Sequence, residues 1–74
     1  MINFGENLRY FREGKGISQR VLAERLGVSY RTVMNYETGK TMPSMETVVH
    51  IAHILSVSCD QLLGYNVLAR YITL

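Results

Sequence analysis

Residues 18–44 read SQRVLAERLGVSYRTVMNYETGKTMPS, and two short helices joined by a tight reversal account for the pattern. Ser18 stands where a helix N-cap belongs. Ile17 before it and Leu22 at the fourth helical position have the spacing of a hydrophobic staple. Ser29 repeats the arrangement, with Val28 before it and Val33 four residues on. Leu26-Gly27-Val28-Ser29 leaves only a few residues in which to reverse the chain. So tight a crossing needs a small residue where the helices approach, and Ala23 sits there. It needs a position open to positive φ, which Gly27 supplies at little steric cost. It needs a branched apolar residue facing the crossing, and that is Val33. Leu22, Leu26 and Tyr36 fill the surrounding core. The resulting spacing is Ala, three residues, Gly, five residues, Val.

Outward from this hairpin the same signals recur. Asn3 with Glu6 resembles a capping box, followed by Phe4, Leu8 and Phe11 at helical spacing, and Gly14 and Gly16 end that helix. Ser44 follows Pro43 and opens a run with Val48, Ile51, Ala52 and Leu55 on one stripe. Ser58 is flanked by Val57 and Leu62 as a third staple, with Gln61 as its capping-box partner. The expectation is an all-α, compact five-helix domain with helices at about 3–14, 18–26, 29–38, 44–55 and 58–63. Residues 1–64 form the domain. The last ten residues, YNVLARYITL, carry no punctuation and fit a helical extension or a strand equally well.

Composition narrows the classes. Seventy-four residues, 47% of them hydrophobic and 19% charged, suit one small globular domain. A single cysteine, Cys59, excludes an internal disulfide and reads as a small buried hydrophobe. His50 and His53 share a helix face but have no third ligand, so no metal is expected. No cofactor is expected either. No apolar run reaches the roughly 18 residues of a membrane span. The N-terminus holds no export signal, so the chain reads as cytoplasmic. There is no nucleophile–base–carboxylate set and no Gly-rich phosphate loop, which argues against an enzyme. Residues 1–40 hold seven of the eight basic residues and four of the six acids, net +3, against −1 for the remainder. That asymmetry permits a polyanion-binding first half.

An αα-hairpin of the Ala23–Gly27–Val33 spacing is the DNA-binding helix-turn-helix geometry. Here the sequence resembles the phage Cro/repressor-type helix-turn-helix family, also called the Xre family. The match is carried by residues 18–44, with LRYFREGKG before and METVVHIAHILSVSCDQLLG after. The resemblance implies a domain that binds duplex DNA, usually as a two-fold dimer, with the second motif helix in the major groove. It implies base contacts from Tyr30, Arg31, Met34 and Asn35. Arg31 suits guanine O6 and N7, and Asn35 suits adenine. Tyr30, longer than the side chains common at this place in the family, would meet a thymine methyl or a phosphate. Gln19, Ser29, Thr32, Lys40 and Thr41 become phosphate contacts, which set register without reading sequence. Arg12 and Glu37 become a structural pair tying helix one to helix three, beside the structural Ala23, Gly27 and Val33. The apolar tail, with Val67, Leu68, Tyr71, Ile72 and Leu74, is read as a dimer contact. The expected function is a small transcriptional regulator, most often a repressor, acting as a homodimer on a double-stranded operator. The alternative is a protein-interaction module, an antitoxin or coactivator, whose partner is a toxin or polymerase.

Overall fold

Serine and asparagine caps decide where this chain turns helical. The computed structural model describes residues 3–64 and contains α1 (Phe4–Gly14), α2 (Gln19–Leu26), α3 (Tyr30–Thr38), α4 (Met45–Leu55) and α5 (Cys59–Leu63). The described residues are all-α. Each helix starts one residue after the cap expected from sequence. The Asn3, Ser18, Ser29, Ser44 and Ser58 side chains accept from the backbone N–H groups of Glu6, Val21, Thr32, Thr47 and Gln61. At Ser58 the box is complete, because Gln61 Oε1 also accepts from the Ser58 N–H at 2.9 Å.

Three of the four connections are one device used three times. In Gly16-Ile17-Ser18, Gly27-Val28-Ser29 and Ser56-Val57-Ser58, the first residue is left-handed, with φ of 70°, 76° and 55°. The N–H of the middle residue reaches back to a carbonyl of the preceding helix: Ile17 to Arg12, Val28 to Ala23 and Val57 to Ala52, at 3.0–3.2 Å. This is the backbone pattern that closes helix C-termini. The third residue caps the next helix. The middle side chain is partly buried against the core. One β-branched residue therefore ends one helix and anchors the entry of the next, which fixes the crossing with three residues. The α3–α4 connection is longer and passes through the buried Pro43.

The core lies where the five apolar stripes meet. Leu8, Leu22, Val33, Val48, Ile51, Leu55 and Leu62 are fully buried. Helix α3 packs on α1 and α2, α5 packs on α1 and α4, and α4 packs on α2. Two residues that the sequence pattern did not single out set these contacts. Gly5 lets α1 meet the end of α3: a Cβ there would collide with the Glu37 carbonyl and lie 2.7 Å from the Tyr36 oxygen. Asn7 Nδ2 donates to the Leu62 carbonyl at 2.9 Å, closing the end of α5 from α1. The tail, and with it the dimer candidates Val67, Leu68, Tyr71, Ile72 and Leu74, lies outside the described residues.

Two substitutions check this packing. Gly5→Ala forces α1 off α3 and should lower stability by about 1–3 kcal/mol in urea unfolding, since overpacking a tight contact has that cost. Ser56 holds a left-handed conformation that costs an ordinary residue about 1–2 kcal/mol. Ser56→Gly relieves most of it, less the extra chain entropy of glycine, and should raise Tm by a few degrees.

Candidate nucleic-acid interface

Helical spacing divides α3 into two faces. Val33 is fully buried, and the Glu37 side chain one turn later is only 3% exposed. Arg31 and Thr38 lie in solvent on the opposite side, with Asn35 partly exposed between them. Tyr30 and Met34 flank that outer row; Tyr30 is 38% exposed and Met34 is half-buried. The four residues expected to read bases thus all reach the surface of α3. Of the residues read as structural, Ala23 and Val33 are buried, and Gly27 is left-handed.

Glu37 is a carboxylate on the helix that should approach phosphates, so its surroundings decide the electrostatics. Arg12 reaches it from α1 with both prongs of its guanidinium. Nε donates to Oε2, and Nη2 donates to Oε1 at 3.2 Å. Arg12 Nη1 donates to the Ile17 carbonyl at 2.8 Å. From α2, Gln19 Nε2 donates to Glu37 Oε1 at 2.9 Å. The expected Arg12–Glu37 pair is therefore the centre of a buried network that holds α1, the first connector, α2 and α3 together. A planar fork matched to a carboxylate suits this burial. The network also turns the Glu37 charge inward and neutralises it.

The expected phosphate-contacting residues sort themselves by how busy they are. Gln19 gives one amide N–H to Glu37, which leaves the second. The Ser29 and Thr32 hydroxyls bond each other at 2.8 Å, and Ser29 Oγ also accepts from the Thr32 N–H. Both are thus tied into the α3 cap. Lys40 and Thr41 are exposed. Their backbone N–H groups donate to the Asn35 carbonyl at 2.9 and 3.3 Å, which folds this segment back over the end of α3.

One residue went unmarked in the sequence. The Arg20 guanidinium lies over the Tyr30 ring, 4.5 Å from its centroid. Among the described residues no carboxylate pairs with Arg20, Arg25, Arg31 or Lys40. With Glu37 neutralised, residues 18–41 present four cations that lack a carboxylate partner among the described residues, against Glu24 alone. The usable signal was an arginine one position after the α2 start, a place from which it reaches the first residue of α3.

Comparison with known proteins agrees with this geometry. The helix-turn-helix family model matches residues 8–62, and the chain belongs to that family, of the Cro/repressor type expected from its sequence. It is 40% identical over 63 residues to the HTH-type transcriptional activator BcrR of Enterococcus faecalis, covering 85% of this chain and 31% of that protein. The match spans about a third of BcrR and somewhat over half of two Bacillus subtilis regulators, YonR and YqaE. Among solved structures, the P22 c2 repressor, in complex with synthetic operator 9T, superposes with a TM-score of 0.75. Its identity is 32%, over 81% of this chain and 91% of that one. Hydroxypropylphosphonic acid epoxidase from S. wedmorenis superposes at 0.78 with 31% identity, over 82% of this chain but only 32% of the enzyme. The likeness to that enzyme is confined to a helix-turn-helix-sized portion of it.

The buried network yields its own test. Arg12→Ala leaves the Glu37 charge without its partner and should lower stability by about 3–5 kcal/mol. The double variant Arg12→Met/Glu37→Leu removes both charges and should recover most of the loss, as read by urea unfolding.

Proposed function

We propose that this chain binds duplex DNA sequence-specifically and regulates transcription, with α3 entering the major groove. The observation that carries the reading is the sidedness of α3. Its outer row holds Arg31 and Asn35, while its one carboxylate is turned inward and neutralised by Arg12. Arg31 donates two parallel hydrogen bonds to guanine, and Asn35 pairs with adenine. Met34 and Tyr30 line the same groove wall. Lys40 and Thr41, past the end of α3, hold phosphates on one side. Gln19, through its second N–H, and the capped Ser29–Thr32 pair hold them on the other. These contacts set register, and the α3 side chains set sequence.

The chain acts as a regulator rather than a catalyst, in the cytoplasm, and no helix among the described residues is long and apolar enough to cross a membrane. Repression by occupancy of an operator is the simplest mechanism that a domain of this size performs. The P22 c2 protein, with which it shares its fold, is a repressor. We place two copies on a two-fold operator, with half-sites about 34 Å apart, joined through the apolar tail.

Selection from random duplexes tests this directly, and a two-fold symmetric consensus is the expected outcome. On that consensus, Arg31→Ala should weaken binding by about 1–3 kcal/mol and relax base preference at one position. Lys40→Ala should weaken all duplexes alike and lower the salt slope by about one. A wild-type pool that enriches no sequence contradicts the reading.

A further inference from the structure

The Arg20–Tyr30 stack belongs to none of the roles assigned so far. Arg20 is the second residue of α2, and Tyr30 is the first of α3. Glu24 stands four residues beyond Arg20, one helical turn away, where a surface arginine finds an easy partner. No such pair forms among the described residues, and the guanidinium lies over the Tyr30 ring instead. Stacking occupies the faces of a guanidinium and leaves its edges free. No described hydrogen bond uses them. Tyr30 has only two side-chain torsions and is partly covered, so the ring is a firm platform for the cation. The result is a planar donor fork held at the mouth of the hairpin, beside the outer row of α3 and contributed by the other helix.

We propose that Arg20 is a specificity-determining residue, whose guanidinium, held over Tyr30, donates to O6 and N7 of a guanine flanking the bases read by α3. A donor-only fork matches the two acceptors of guanine in the major groove and no other base there. Tyr30 is then a positioning residue for Arg20: it sets the plane in which the fork is presented. This rests on the DNA-binding reading above, and the experiment separates the two.

Wild type and the variants Arg20→Lys, Arg20→Ala, Tyr30→Phe and Tyr30→Leu are each used to select from a pool of random duplexes. Binding is then measured on the wild-type consensus, and on single-base changes of it, across salt concentrations. Arg20→Lys keeps the charge and loses the fork. It should keep the wild-type salt slope but lose discrimination by about tenfold or more at one guanine. Tyr30→Leu should lose discrimination at that same guanine, and Tyr30→Phe, which keeps the ring, should retain it. If Arg20→Lys preserves preference at every position while Arg20→Ala weakens all sequences equally, Arg20 is a phosphate contact and the inference is overturned. The same holds if the guanine lost in Arg20→Lys is unaffected in Tyr30→Leu. A wild type that enriches no consensus overturns the DNA-binding reading and this inference together. A wild-type consensus unchanged in all four variants overturns this inference alone.

Discussion

A single carboxylate governs the arrangement of this molecule. Glu37 sits near the end of the helix proposed to face a polyanion, and left exposed there it would repel phosphate. The fold withdraws it into the interior, where an isolated charge is costly. Arg12 meets it with two nitrogens, and Gln19 adds a third donor. The third nitrogen of Arg12 holds the Ile17 carbonyl, so the neutralised charge also fixes the first connector. Because the partners lie on α1, α2 and α3, satisfying Glu37 requires all three helices in their final places. The approach of α1 to α3 in turn depends on Gly5, whose missing side chain lets the Glu37 backbone come close.

The connectors supply the remaining rigidity. A left-handed residue, a β-branched residue and a serine end one helix and begin the next with little freedom between them. Where the first position is Gly16 or Gly27 the left-handed turn is unstrained, and where it is Ser56 the same turn carries a steric cost. The α2–α3 connector is the one that shapes the proposed interface. It places the first turns of both helices side by side, which is why Arg20 on one reaches Tyr30 on the other. Helices set so firmly offer side chains whose positions are fixed before a ligand arrives, and recognition then loses less conformational freedom.

Much of this was legible in the sequence because it is written in local signals. Caps, staples and the Ala23–Gly27–Val33 spacing each span a few residues, so they announce helix starts and the hairpin without knowledge of the fold. The Arg12–Glu37 pair came from family resemblance, since nothing local joins residues 25 apart. What stayed hidden was non-local. Asn7 reads as an ordinary helix residue until the end of α5 lies against it. Gly5 reads as one more glycine inside a helix until the end of α3 lies against it. Gln19 was assigned to phosphate through the family resemblance, and its bond to Glu37 appears only once α3 has packed. Arg20 was one more exposed arginine until Tyr30 came beneath it.

The central claim is that the outer row of α3, flanked by the start of α2 and by Lys40 and Thr41, is the surface that meets DNA. Amide chemical-shift mapping of the labelled protein against its selected duplex tests it most directly. The account requires the largest changes at residues 19–20, 29–35 and 40–41, with the exposed Met45 and Val49 of α4 nearly unmoved. Changes centred on α4, with Arg31 and Asn35 unperturbed at saturation, would contradict it.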